Sequence, residues 1–395
     1  MTWFLFCYWY EPDAPRDPVG LVRMWSLAET LTQAGDRVIL FPPRYRSVLD
    51  RRAYRVIPIT VIHLPLIRPL SYALRSFVQA LVCALRTRPD VLYYRWMDSP
   101  HALILAKLLR VPCICEINGE PVPDWLNRRS CLVPLVKHLL AGLALRHCER
   151  VVVLTEGLRS LLHERYHVSL DRIMVLPSGT DLQRFEPREA GASRRELGLE
   201  PSHRYIGFIG SFYRYQGLAC LLEAMVVVKD ISPAVHLLLV GEGEAMEELR
   251  QQAKRLALDD YITWAGRVPY GDVPVWISAM DLCVAPFRGN RGETSPVKIF
   301  DYLACHRPVV ASAIPSVVSA FTAASGIQFV PPDQPSLLAE AIINLLKDPD
   351  RCVAMGTQGR RFVESRYSWA MIVGQLRQWV GEANRMGTHA HSHVL

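Results

Sequence analysis

The feature that most constrains this chain is an alternation. Runs that are apolar throughout, rich in β-branched and aromatic residues, are separated repeatedly by segments with helical spacing. In the first half the runs are Trp3–Tyr10, Asp36–Phe41, Asp90–Trp96, Val111–Asn118, Arg150–Thr155 and Arg172–Ser178. Helices are predicted between them, for example over Gly20–Ala34 and His101–Leu109. A strand that is apolar on both faces has to be covered on both faces. The pattern therefore predicts α/β architecture, a parallel sheet with helices above and below.

From Pro177 to Arg204 the chain turns polar and rich in Gly, Pro and Ser, and residues 181–203 read as a linker. The alternation then restarts, with strands expected at 205–211, 235–243, 261–266, 281–286, 307–312 and 327–330. Two doubly wound domains in tandem are the expectation, residues 1–180 and 204–366. Ligands in such sheets sit at the carboxyl ends of the strands. The loops after Tyr10, Asn118, Gly210, Gly243, Pro286 and Ser312 should then border a cleft between the domains. The last residues, 386–395, read as a frayed tail.

The length, 395 residues with 50% hydrophobic content, suffices for at least two cores. A formal net charge of +7 favours anionic partners. The ten cysteines include no C-x-x-C pair and read as reduced thiols of a cytoplasmic protein. MTWFLFCYWY has no basic lead-in and suits a first strand better than a signal peptide. Cys131–Leu145 is oily but too short to span a bilayer, so no transmembrane helix is expected.

Chemistry concentrates in GETSPVKIFDYLACHRPVVAS, Gly292 to Ser312. Ser295 is placed to cap a helix and Pro296 to open it. A helix N-terminus attracts phosphate, and Lys298 in the first turn adds a cation. Asp301, about one turn later, can accept from a pair of hydroxyls such as a ribose diol. Glu293, on a Gly-rich lead-in, can meet sugar hydroxyls. Taken alone, the stretch also fits an N-capped surface helix with a Lys–Asp pair.

Other signals are weaker. GEGEAM (Gly241–Met246) lacks the third glycine of a dinucleotide fingerprint. Asp348–Asp350 fits a turn, and the histidines share no metal-ligand spacing. Arg95 ends an apolar strand and calls for an anion. Arg44–Arg88 holds nine arginines and one acid, Asp50, interleaved with apolar residues. Arg128–Arg150 is similar, with Glu149 as its acid. These segments point to an anionic membrane surface or a lipid-phosphate acceptor. No nucleic-acid motif accompanies the charge, so no nucleic-acid partner is expected.

With these motifs in hand, the chain resembles the retaining glycosyltransferases of family 4, whose GT-B fold has two Rossmann-like doubly wound domains facing a central cleft. That family carries a Glu, seven residues, then a second Glu in a helix-then-strand segment ending PVVAS. Here the spacing is kept, with Asp301 as the second carboxylate, and SPVK resembles the family's Ser-Pro-x-Lys branch. GLVRMWSLAETLTQAGDRVILF, LYYRW, VPCICEINGEP, VVVLTEGLRSLL and IMVLPSGTDLQRFEP are similar to its first domain. IGFIGSFYRYQGLACLLEAM, LLLVGEGEAMEELR, ITWAGRV and AMDLCVAP follow in the family's order. RYSWAMIVGQLRQWV resembles its closing helix, here 367–385, which crosses back onto the first domain.

The resemblance implies transfer of a sugar, with retention, from a nucleotide-diphosphate donor to a polysaccharide or lipid-linked oligosaccharide acceptor. It implies a peripheral enzyme of cell-envelope polysaccharide biosynthesis at the cytoplasmic face of the membrane. No metal and no cofactor beyond the donor sugar nucleotide are expected. By the same resemblance Glu293 contacts donor-sugar hydroxyls, Asp301 the ribose, and Lys298 with the amides of Thr294 and Ser295 the diphosphate. Backbone at Gly266, Arg267 and Val268 meets the base, and Gly20 lets the first domain's main chain approach the donor. Three positions depart from the family pattern. Ser211 and Gln216 stand where Arg and Lys usually bind the diphosphate, with Arg214 between them as a substitute. Asn118 stands where a His usually touches the donor sugar; it can hydrogen-bond but cannot shuttle a proton. The expected catalytic set is Glu293, Asn118 and Lys298. A sugar-nucleotide epimerase on the same fold and a non-catalytic partner subunit remain open as alternatives.

Overall fold

The structure is a computed structural model that describes residues 1–8, 19–44, 53–64, 67–121, 132–293, 295–321 and 325–391. The chain divides into two compact units: Met1–Ser178 together with Trp369–Leu395, and Gly179–Ser368.

The first unit opens with β1 (Thr2–Phe6), α1 (Val19–Gln33), β2 (Arg37–Phe41), β3 (Arg55–Val56) and α2 (Arg68–Arg86). It continues through β4 (Val91–Arg95), α3 (His101–Leu109), β5 (Cys113–Ile117) and α4 (Leu132–His147). β6 (Arg150–Val153), α5 (Glu156–Tyr166) and β7 (Ile173–Val175) complete the sheet. Its order is β3-β2-β1-β4-β5-β6-β7, and its strand pairs are parallel. Trp3, Phe4, Leu5 and Phe6 are all fully buried, because helices cover both faces of β1. On one side, residues of α2, α3, α4 and α5 form a core with Phe4 and Phe6. On the other, α1 packs with a last helix, α14 (Trp369–His391), through Leu21, Met24, Trp369, Ile372 and Leu376.

The second unit holds α6 (Ala190–Glu196), β8 (Arg204–Ile209), α7 (Leu218–Ile231), β9 (Val235–Val240), α8 (Met246–Arg255) and β10 (Ile262–Gly266). Then come α9 (Val273–Ser278), β11 (Leu282–Ala285), α10 (Val297–Ala304), β12 (Val309–Ser312) and α11 (Pro315–Val318). β13 (Ile327–Val330), α12 (Pro335–Leu346) and α13 (Pro349–Arg366) close it. Its sheet is again parallel, in the order β10-β9-β8-β11-β12-β13. Both units are thus doubly wound α/β, as the alternation predicts. The strand order reverses between β8 and β11, the switch point outside which ligands bind in sheets of this kind.

Three expectations need correction. Residues 181–203 are not a free linker but part of the second unit. Phe185 is fully buried there, and Arg194 of α6 binds Asp281 at 2.5 Å. Ser295 does not cap the following helix. That helix starts at Val297, and the buried Ser295 Oγ has no hydrogen-bond partner among the described residues. The helix α14 runs on to His391, through part of the stretch read as a frayed tail; residues 392–395 lie outside the described residues. The loop after Tyr10 also lies outside them.

A buried charge cluster ties the first unit together. Arg23 on α1 pairs with Glu116 on β5, Nε to Oε2 2.9 Å, with side-chain exposures of 9% and 0%. Glu116 also accepts from the Tyr93 hydroxyl. The remaining Arg23 donors reach the carbonyls of Leu176 and Pro177 and the Ser178 Oγ. The guanidinium also sits 5.8 Å from the centre of the Trp369 ring. Burial opposes ionisation of Glu116, but Arg23 and Arg95 more than offset it and hold its pKa below the usual carboxylate value. Arg23→Ala would strand the Glu116 charge and should cost about 3–5 kcal/mol. Guanidinium unfolding midpoints would measure this. Replacing both partners, Arg23→Met with Glu116→Leu, should recover most of the loss.

Candidate functional site

The candidate site is built at the carboxyl edge of the second sheet, at the ends of the neighbouring strands β8 and β11. β8 ends at Ile209, and Gly210 follows with φ +140°. A Cβ at Gly210 would lie 3.0 Å from the Lys298 Nζ, so glycine keeps this corner open for the lysine. The chain then turns through Arg214–Gln216 to Gly217, at φ +75°, which opens α7. A Cβ at Gly217 would meet the Pro286 carbonyl oxygen at 1.7 Å. The loops after β8 and β11 are therefore in backbone contact, and only glycine permits it.

Lys298 reaches into this corner from the first turn of α10. Its Nζ donates to the Gln216 Oε1 at 2.7 Å and lies 3.6 Å from the centre of the Phe208 ring. Among the described residues it has no carboxylate partner. Burial pushes its pKa well below that of an ordinary lysine, and the nearby Arg291 adds to the fall. Arg291 lies over the Phe287 ring, 4.1 Å from its centre, and donates to the Ser295 carbonyl at 3.3 Å. Burial lowers the Arg291 pKa to about 10, against the opposing pull of Tyr215 and Glu293. Two cations thus share a poorly solvated corner. An anion entering there would favour the charged form of both.

The other sequence-predicted residues distribute around this corner. Ser211 is exposed and Gln216 buried, so Gln216 serves as the polar partner of Lys298. Arg214 points away: its Nη2 binds the Glu248 Oε1 at 2.5 Å, and Nη1 lies 3.7 Å from the Glu244 Oε1. Its charge is met by two exposed glutamates of the neighbouring segment. Arg291 was overlooked in the sequence, although it stands two residues before Glu293. Its signal was a cation in the Gly-rich lead-in. Glu293 is half-buried and within electrostatic reach of Arg291. Thr294 lies outside the described residues.

Asp301 is 8% exposed and accepts from the Thr180 Oγ1 at 2.8 Å. Burial raises its pKa from the usual 3.8 to about 7, with the Thr180 hydrogen bond working against the rise. Gly266, at φ +68°, ends β10 and accepts from the Gly241 amide at 2.8 Å; Arg267 is exposed and Val268 half-buried. In the first unit, Gly20 lies in the first turn of α1, and Asn118 follows β5 with its Oδ1 buried and without a hydrogen-bond partner among the described residues. No group of three or more His, Cys, Asp or Glu among the described residues can hold a metal ion.

Comparisons with known proteins follow this geometry. Residues 22–184 match the model of Glycosyltransferase Family 4, and residues 203–348 that of Glycosyl transferases group 1. A D-inositol 3-phosphate glycosyltransferase of Segniliparus rotundus is 32% identical over 242 residues, 60% of this chain and 53% of that protein. A GDP-mannose-dependent monoacylated alpha-(1-6)-phosphatidylinositol monomannoside mannosyltransferase of Corynebacterium glutamicum is 31% identical over 204 residues, 50% of this chain and 53% of that protein. The chain thus matches about half the length of these two relatives. The solved structure of Anabaena HepE in complex with UDP shares the fold, with a TM-score of 0.74 at 18% identity over 96% of this chain and 99% of that one.

The Asp301 carboxyl gives a test of this geometry with a definite sign. Its folded-state pKa lies above the unfolded value. The folded protein therefore holds the proton more tightly, and stability should fall as pH rises from about 4 through about 7. Asp301→Asn should remove this slope and melt higher than wild type at pH 8, as followed by thermal unfolding across pH.

Proposed function

The chain belongs to the family 4 glycosyltransferases, and on that premise we propose that it transfers a sugar, with retention, from a nucleotide-diphosphate donor to a glycan or lipid-linked oligosaccharide. The observation that carries the reading is Lys298, which lies beside Arg291 with no carboxylate partner among the described residues. A leaving nucleoside diphosphate develops the negative charge that this corner lacks.

In the proposed mechanism the diphosphate lies against Lys298, Arg291 and the amides before α10. Glu293 accepts from donor-sugar hydroxyls and Asp301 from the ribose, while the base meets backbone at Gly266–Val268. The anomeric carbon's bond to the phosphate oxygen breaks as its bond to the acceptor oxygen forms on the same face. The acceptor's proton passes to the departing phosphate. No side chain needs to shuttle it, so Asn118 in place of a histidine is compatible with turnover. Positioning and charge stabilisation supply the rate.

The names of the relatives, an inositol phosphate glycosyltransferase and a mannosyltransferase acting on a phosphatidylinositol mannoside, support a phosphate-bearing or lipid-linked acceptor. The second name, of an enzyme acting on a phosphatidylinositol mannoside, also fits work at a membrane surface. Among the described residues no helix is long and apolar enough to cross one, which fits peripheral attachment. One observation favours a second reading, a non-catalytic subunit. Ser211 and Gln216 carry no charge, and Arg214 is engaged with Glu248 and Glu244.

UDP-, GDP- and ADP-sugars tested for thermal stabilisation and transfer would decide between these readings. One donor should stabilise the protein. Lys298→Ala and Glu293→Ala should each cut turnover by about 100-fold or more. EDTA should leave the rate unchanged. Near-wild-type transfer by both variants would overturn the site. Absence of binding by any sugar nucleotide would favour the non-catalytic subunit.

A further inference from the structure

Among the described residues, the helices on one side of the first sheet carry the largest group of exposed aliphatic side chains. α2 turns Tyr72, Ala80, Cys83 and Ala84 inward, and it turns a second apolar stripe outward. Leu70, Leu74, Val78, Val82 and Leu85 recur at helical spacing, with exposures of 70, 63, 50, 54 and 82%. A helix that packs on a sheet normally shows solvent a polar face, and an outward stripe of this length is the mark of a contact surface.

The neighbouring helices repeat the arrangement. α3 packs beside α2 and exposes Ile104 and Leu108, at 55 and 59%. α4 exposes Leu135, Val136, Leu139 and Leu143, all above 50%. The inner residues of all three helices join the same core, so the three outer stripes lie on one side of the sheet. α2, α3 and α4 contain no Asp or Glu. Two acids that pair with lysines of these helices are already used: Asp98 binds Lys137, and Glu149 binds Lys107 and the Cys113 amide. Arg75, Arg86 and Arg146 are exposed among the aliphatic side chains.

We propose that the outward face of α2, α3 and α4 is a membrane-insertion surface, seating its aliphatic stripes at the boundary of headgroups and acyl chains in an anionic bilayer. Charge decides the occupant. A second copy of this face would bring arginines against arginines with no acid between them, whereas anionic headgroups supply the missing charge. At 19 residues, α2 is about 28 Å long and lies flat along such a boundary, with its arginines reaching up to the phosphates. This deepens the membrane setting proposed above and rests on it for its purpose. The binding itself requires neither donor nor acceptor.

The test is flotation of the full chain with vesicles of phosphatidylcholine alone or mixed with phosphatidylglycerol. Wild type should float with the mixed vesicles, stay down with neutral ones, and float less as salt rises. A triple variant, Leu70→Gln with Leu74→Gln and Leu85→Gln, alters only exposed side chains. It should bind at least tenfold more weakly while its melting temperature and its stabilisation by sugar nucleotide match wild type. Arg75→Gln with Arg86→Gln should lose the preference for anionic vesicles. Wild-type protein that never floats, or a triple variant that floats like wild type, would overturn the proposal. So would a wild type that sediments as a dimer and a triple variant that sediments as a monomer, with neither floating; that result would make the face a self-association surface. Flotation without any sugar-nucleotide binding would instead overturn the proposed function and leave this surface standing.

Discussion

A charge withdrawn from water has to find another charge, and the two units meet this constraint in opposite ways. In the first, Arg23 closes on Glu116, and its other donors fasten the backbone at Leu176 and Pro177. Its guanidinium also faces Trp369, the first residue of the returning helix. One buried ion pair thus holds α1, β5 and both places where the chain leaves and re-enters that unit. In the second, Lys298 is partly buried and, among the described residues, is answered by the neutral amide of Gln216 and by aromatic rings. The closed pair is structural. The open one is the proposed site, because the charge it lacks is the charge that the proposed donor's diphosphate brings.

The backbone around Lys298 explains how that open charge is maintained. Gly210, Gly217 and Gly241 all take positive φ, and a side chain at Gly217 or Gly241 would run into a neighbouring carbonyl oxygen at 1.7 or 2.0 Å. The strand ends therefore approach more closely than any other residue would allow, and Lys298 is held over Phe208 rather than free to reach solvent. The apolar face on the first unit shows the same principle outside the core. Surface that is left without its natural complement marks where the complement comes from elsewhere.

Much of this was legible beforehand. The alternation of apolar runs gave both parallel sheets, with strand ends off by one or two residues in most cases, because a strand buried on both faces cannot disguise its composition. Lys298, Glu293 and Asp301 were visible from spacing and from family resemblance. The failures have specific causes. Arg214 looked available because its partners, Glu244 and Glu248, lie 30 and 34 positions on, beyond any local pattern. Ser295 looked like a helix cap, but the helix begins two residues later. Arg44–Arg88 was read as basic and apolar without its helix, although Arg68, Arg75 and Arg86 recur at helical spacing along α2.

The sequence by itself determined the class of fold, two doubly wound α/β units, and the family, because both are written in local composition and in motifs that survive in order along the chain. Tertiary structure alone decided which charges are spoken for. It paired Arg23 with Glu116 across 93 positions, turned Arg214 outward to Glu248, brought Arg291 beside Lys298, and buried Asp301 against Thr180. The reason is physical. A strand's burial follows from its own residues, but the state of a charge follows from whatever folding places next to it.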